Sequence, residues 1–195
     1  MEVAQSVWLL GASTGGLSAI KQFLQQVSPM ADIGFVYAQH IDESQVGTLM
    51  RMIKQTGWPV RQAVMGEFIL PGGVTLIPPS HETRISKQGQ LLRFSSPWHG
   101  HYAPSIDQLA KRLALLYKKN CGAIIFTGMG DDGAKGCQFI KDRGGKVWVQ
   151  EPRECTASSM PESVIKRNCA QFVGTIAQLA DKMSVEINRS ETCCQ

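Results

Sequence analysis

The run Val7-Trp8-Leu9-Leu10-Gly11-Ala12-Ser13-Thr14-Gly15-Gly16 constrains this chain more than any other stretch. Four bulky apolar residues in succession read as a buried strand. Behind them Leu17, Ile20, Leu24 and Val27 recur at helical spacing, so the glycines between form a strand-to-helix turn. Ser13 sits in that turn between Gly11 and Gly15 as G-x-S-x-G, an arrangement that lifts a serine hydroxyl above the end of a sheet. The same residues form a loose glycine-rich loop at a helix start, the shape that cradles phosphates, although Ser13 stands where strict dinucleotide spacing has its second glycine. A nucleophile and an anion cradle both fit the turn.

The pattern then repeats. Ile33 to Ala38 predicts a second buried strand ending in Gln39-His40, and Asp42 with Gln45 has the form of a capping box for a helix from Ser44 to about Thr56. Val46, Leu49, Met50 and Ile53 would be its buried stripe. Val60 to Val64 and Val74 to Ile77 predict short strands around the turn Leu70-Pro71-Gly72-Gly73. Glu82–Ile85 and Gln90–Phe94 form a hairpin across Ser86-Lys87-Gln88-Gly89, the one departure from strand-helix alternation. Ser95 to Pro104, with Trp98, His99, His101 and Tyr102, reads as a surface loop and a candidate substrate contact.

Ser105 with Gln108 marks a second capping box, for a helix to about Lys119 buried through Ile106, Leu109, Ala110, Leu113, Leu116 and Tyr117. The strand Gly122 to Phe126 runs into a second glycine-rich turn, Thr127-Gly128-Met129-Gly130-Asp131-Asp132-Gly133, and then a helix from Ala134 to Arg143. Lys146 to Gln150 is a further strand, Met160-Pro161-Glu162 opens a short helix, Phe172-Val173 is a last strand, and Thr175 to Met183 a closing helix before a polar tail that frays. Alternation of this kind predicts an α/β fold: a doubly wound, mostly parallel sheet with helices on both faces and a small β-hairpin insertion.

With 195 residues, 43% of them hydrophobic, the chain suffices for one domain with a full core. The formal charge of +4 is scattered, with Lys111-Arg112 and Lys118-Lys119 its densest groups, so no nucleic-acid footprint stands out. Met1 to Gln5 does not open a secretory signal, and no window approaches a membrane span, so a cytoplasmic location without membrane insertion is expected. Cys121, Cys137, Cys155, Cys169, Cys193 and Cys194 contain no C-x-x-C pair and read as free thiols rather than a metal site.

In a parallel sheet the C-terminal strand ends share one edge, where ligands and catalytic groups collect. Ser13, His40 and Asp132 all lie just past such ends. With the first strand central, the second on one side and the Ile124 strand on the other, hydroxyl, imidazole and carboxylate converge as a triad: nucleophile, base and the acceptor that fixes the base. The N–H groups of Thr14 and Met129 are then candidates for holding an oxyanion. On residue types alone Asp131 rivals Asp132, and His81, His99 and His101 rival His40. A nucleotide- or phosphate-binding Rossmann-like module also stands beside the triad, the second glycine turn serving equally as a phosphate loop.

Seven blocks in order from about residue 6 to 184 give a resemblance: Gly11-Ala12-Ser13-Thr14-Gly15-Gly16, Gln39-His40, Leu70-Pro71-Gly72-Gly73-Val74, Pro78 with His81, Pro104-Ser105-Ile106-Asp107, Thr127 to Gly133, and Gln150 with Met160-Pro161. Together they resemble the catalytic domain of CheB-type chemotaxis methylesterases. The resemblance implies Ser13 as nucleophile, His40 as base and Asp132, not Asp131, as its partner, with Thr14 and Met129 at the oxyanion. It implies hydrolysis of glutamate γ-methyl esters on the cytoplasmic helices of bacterial chemoreceptors, releasing methanol, together with deamidation of receptor glutamines and no cofactor or metal. Members of the family usually carry a receiver domain ahead of the catalytic one. The expectation here is a single catalytic domain over 1–195, core about 6–184, with no receiver domain in this chain and regulation by a separate receiver or other protein. A non-catalytic receptor-array adaptor is the remaining alternative. Ala103 departs from the family pattern, which commonly has arginine there.

Overall fold

The computed structural model describes residues 4–29 and 32–192. The described residues form nine strands and six α-helices in this order: β1 (Ser6–Ala12), α1 (Gly16–Gln26), β2 (Ile33–Gln39), α2 (Val46–Lys54), β3 (Val60–Gln62), β4 (Val74–Leu76), β5 (Thr83–Ile85), β6 (Leu91–Arg93), α3 (Ile106–Tyr117), β7 (Cys121–Ile125), α4 (Ala134–Asp142), β8 (Lys146–Gln150), α5 (Ser159–Lys166), β9 (Phe172–Gly174) and α6 (Ile176–Thr192). Seven strands form one parallel sheet in the order β3-β4-β2-β1-β7-β8-β9, and β5-β6 stand apart as an antiparallel hairpin. The predicted fold class holds.

The central strand explains the layout. Every residue of β1 from Val7 to Ala12 is buried, as expected for a strand covered on both faces. Val7 and Leu9 point into one core, with Leu109, Leu113, Cys137 and Val164 from α3, α4 and α5. Trp8 and Leu10 point into the other, with Ile20 and Phe23 of α1, Leu49 and Ile53 of α2, and Leu179 and Met183 of α6. From β1 the chain steps outward to β2 and β4, then crosses back through α3 to β7 on the opposite side. Strand order therefore reverses at β1, and the crevice beside its C-terminal end is where such sheets bind ligands.

Several local expectations are corrected. Asp42 makes no side-chain cap: a short 3-10 turn, Glu43–Gln45, comes first, and α2 starts only at Val46 and ends at Lys54. Its buried stripe is Val46, Leu49, Met52 and Ile53, which share one face at helical spacing, while Met50 is half-buried at its margin. Leu17 is 40% exposed rather than buried, lying in the first turn of α1 above the sheet edge. No helix separates β3 from β4, so the hairpin is not the sole break in alternation. Trp98 is buried under its polar loop, its indole N–H reaching Pro78 O at 3.3 Å, since a wide ring with one donor gains most by hiding the ring and bonding the donor. The C-terminal helix continues as α6 to Thr192 instead of ending at Met183.

The hairpin is fastened to α3 by charge. The Glu82 carboxylate, nearly inaccessible, accepts both Arg84 Nε at 2.8 Å and Arg112 of α3 at 2.5 Å. Cys121, Cys137, Cys155 and Cys169 are free thiols, and Cys193 and Cys194 lie outside the described residues. No described helix is long and apolar enough to cross a membrane.

Candidate functional site

Register places the first two residues. Ala12 pairs with Gln39 as the last matched step of β1 and β2, so Ser13 and His40 are the next residue on each strand, and His40 N–H donates to Ala12 O at 3.1 Å. Adjacent strands run about 4.8 Å apart, which makes these two side chains immediate neighbours at the sheet edge.

Asp132 arrives from the turn after β7. It is 2% exposed, and its carboxylate accepts three hydrogen bonds: His40 Nε2 at 2.9 Å and Ile106 N–H at 2.7 Å on Oδ2, and Asp107 N–H at 2.9 Å on Oδ1. Two of those donors are the first amides of α3, groups without intrahelical partners that favour negative charge. The arrangement is reciprocal. Asp107 Oδ1, in the first turn of α3, accepts Gly133 N–H at 3.0 Å and Gly136 N–H at 2.7 Å at the start of α4. Each aspartate thus caps the other's helix. A carboxylate only accepts, so the proton shared with Asp132 belongs to His40 Nε2 and leaves Nδ1 with its lone pair.

The two glycine turns meet face to face. Ser13 N–H donates to Thr127 O at 3.0 Å, and a Cβ on Gly128 would stand 2.8 Å from Ser13 Cβ and 2.2 Å from Met160 Sδ, so only glycine allows this approach. The Thr127 hydroxyl reaches Thr14 O at 2.9 Å and Ala157 O at 3.1 Å and accepts Ala157 N–H at 3.0 Å. Gln39 Nε2 holds Ser13 O at 2.7 Å, and its own Oε1 accepts the Tyr37 hydroxyl at 2.8 Å. Burial pushes the Tyr37 hydroxyl far above the usual tyrosine range, so it remains a donor.

This scaffolding leaves three groups open. Among the described residues, Ser13 Oγ makes no hydrogen bond, and the N–H groups of Thr14 and Met129 donate to no protein acceptor. Thr14 and Met129 are exposed, the latter at 63%. By contrast Gly128, Gly130, Asp131 and Gly133 donate to Ala157 O, Ser159 Oγ, Tyr102 Oη and Asp107 Oδ1. The second turn therefore lacks the fan of open amides a phosphate loop needs, and a carboxylate fills its interior.

The competing residues sort themselves. Asp131 is exposed and bonds Tyr102 rather than a histidine. His81 bonds its neighbour Ser80 at 2.8 Å, and burial first, then repulsion from Arg93, lowers its pKa. His101 lines the groove without meeting a carboxylate, and His99 offers only its carbonyl, to Gln108 Nε2. No group of three or more His, Cys, Asp or Glu side chains gathers as a metal site among the described residues. Beside His40 an open groove of about 470 Å³ runs between Ile41, Asp42 and Gln45 on one wall and His101, Tyr102 and Ala103 on the other. Sequence reasoning assigned no role to Gln39, Asp107 or Thr127, and placed Tyr102 only in a loop expected to contact substrate. A polar residue ending an otherwise apolar buried strand, as Gln39 does, was the available signal, because a buried amide must find partners.

Comparison with known proteins identifies the family and the fold. The profile of a family described as CheB methylesterase matches residues 8–183. A protein-glutamate methylesterase/protein-glutamine glutaminase 2 of Shewanella sp. (strain MR-4) is 37% identical over 179 residues, 89% of this chain and 50% of that protein. A protein-glutamate methylesterase/protein-glutamine glutaminase of Photorhabdus laumondii is 30% identical over 186 residues, 93% of this chain and 53% of its own length. The chain spans about half the length of the curated relatives it matches. The crystal structure of the Thermotoga maritima CheB methylesterase catalytic domain superposes with a TM-score of 0.85 at 26% identity, covering 94% of this chain and 98% of that one.

Proposed function

This chain belongs to the CheB methylesterase family, and we propose that it is a serine hydrolase acting on γ-methyl esters of glutamate in the cytoplasmic helices of bacterial chemoreceptors. The names of its relatives support deamidation of receptor glutamines as a second activity. We propose that it works in the cytoplasm and that its described residues form one catalytic domain. The observation that carries the reading is the Asp132 carboxylate, buried on two α3 amides and bonded at 2.9 Å to a histidine that follows the serine-bearing strand's neighbour.

In the proposed reaction Ser13 Oγ attacks the ester carbonyl and its proton passes to His40 Nδ1. Asp132 stabilises the imidazolium through Nε2–H. The open N–H groups of Thr14 and Met129 receive the oxyanion. Collapse breaks the C–O bond to the methoxy group, which takes the proton from His40 and leaves as methanol. A water molecule, deprotonated by His40, then cleaves the glutamyl ester on Ser13 and restores the hydroxyl. For a glutamine the same steps release ammonia. The open serine-to-histidine link before substrate binds is ordinary for a ligand-free site.

The test is methanol release from methylated chemoreceptor. Ser13→Ala is expected to lose at least about a thousandfold in rate while keeping its fold, and a serine-directed phosphonate should label Ser13 in the parent protein alone. Undiminished methanol release by folded Ser13→Ala would end the reading.

A further inference from the structure

Tyr102 belongs to the polar loop ahead of α3, far in sequence from every residue of the triad. Its ring lies parallel to the His40 imidazole, 5.1 Å between centroids and 12° between planes. Its hydroxyl donates to Asp131 Oδ1 at 3.0 Å and accepts Asp131 N–H at 3.3 Å, a two-point grip on the residue next to Asp132. The turn is shaped for that grip. Gly130 has φ of 93°, and a Cβ there would stand 2.4 Å from the Tyr102 hydroxyl oxygen.

The hydrogen bond to Asp132 restrains rotation of the imidazole about Cβ–Cγ, because turning the ring over would replace Nε2 with carbon. It restrains swinging about Cα–Cβ less, since a carboxylate tolerates a range of approach directions. A flat aromatic face against the ring restrains that second torsion. The stack also favours the imidazolium that forms when Ser13 gives up its proton, because the face of a phenol ring attracts a cation.

Resting on the hydrolase reading above, we propose that Tyr102 is a positioning residue for His40. It fixes the plane of the base through the stack and, through Asp131, ties its own loop to the turn that carries Asp132. Base and carboxylate are thereby held as one unit while the opposite side of the imidazole stays open to the groove. Tyr102 acts through His40 and not on the ester.

The variants separate stack from clamp. Tyr102→Phe keeps the ring face and loses the clamp, and is expected to lower kcat for methanol release from methylated chemoreceptor about threefold. Tyr102→Leu fills the space without a ring face, and is expected to lower kcat about tenfold to thirtyfold with KM within about twofold. The downfield imidazole proton shared by His40 and Asp132, followed by NMR, should exchange faster with water in Tyr102→Leu and resemble the parent in Tyr102→Phe. Three results overturn the proposal: kcat of Tyr102→Leu within twofold of the parent, a raised KM at unchanged kcat, which makes Tyr102 a substrate contact, or Phe as damaging as Leu, which makes the ring irrelevant. Ser13→Ala in the same assay tells the two readings apart. If it stays active, the serine mechanism falls whatever Tyr102 does. If it is dead and Tyr102→Leu is not, only the positioning role falls.

Discussion

The turn after β1 and the turn after β7 share a grammar of glycines between a buried strand and a helix, yet they are held in opposite ways. In the first, neighbours grip the backbone, Gln39 on Ser13 O and Thr127 on Thr14 O, and the side chain that matters hangs free. In the second, the side chain that matters is the anchor: Asp132 is buried on three donors, and most of the surrounding amides are engaged. A nucleophile must reach substrate, so its turn is fixed from behind. A carboxylate that supports a base must not wander or take up water, so its turn is fixed through the carboxylate itself.

The contrast is broken most easily by comparing what each side chain contributes to stability. Ser13→Ala removes a hydroxyl with no partner and should leave the stability within about 0.5 kcal/mol of the parent. Asp132→Ala orphans two α3 amides and the His40 N–H, and should cost about 3–5 kcal/mol, roughly 10 °C in a chain of this size, as well as the activity. Equal melting temperatures for the two variants would erase the distinction.

Thr127 sharpens it, because its hydroxyl joins the two turns. Thr127→Val keeps the shape and leaves Thr14 O and Ala157 N–H without their partner. About 1–3 kcal/mol of stability should go, with kcat lowered about tenfold as the Thr14 amide loses its aim. Thermal melts and methanol release on one preparation read both. Full activity at reduced stability would show that the backbone bond from Ser13 N–H to Thr127 O joins the turns well enough without the hydroxyl.

How much of this was legible beforehand follows from the same contrast. Periodicity exposes whatever is local: the apolar run of β1, the amphipathic faces of α1 and α3, and Ser13, His40 and Asp132 as residues just past strand ends. Choosing Asp132 over Asp131 took the family pattern, since either could follow Gly130, and only the docking of α3 shows which carboxylate points inward. The Tyr102 stack, the Thr127 bridge and the exchange of caps between Asp107 and Asp132 join segments 25 or more residues apart, and no local spacing encodes them. The Asp42 capping box failed for a related reason. The motif describes side chains, but the Glu43–Gln45 turn delays the helix beyond its reach.

The smallest effect isolates the partner of Asp132. Burial raises the Asp107 carboxyl above the usual aspartate range, with repulsion from Asp132 adding to it and the Gly136 and Gly133 amides opposing. For an acid shifted upward, the folded chain keeps a proton that the unfolded chain has already released. Stability therefore falls as pH rises from the ordinary aspartate value through the raised one, and the loss persists above it. Asp107→Asn keeps the oxygen that caps α4 and abolishes the titration. Its advantage over the parent should be absent in acid and grow to a plateau as pH passes that window. Glu82, whose carboxyl is lowered first by its bond to Arg84, contributes the opposite slope, stability lost as pH falls, but it is present in both proteins and cancels in the difference. Chemical denaturation of both proteins across that range measures it. A constant difference at every pH would mean that burial and the charge of Asp132 together leave the Asp107 carboxyl where it stands in the unfolded chain.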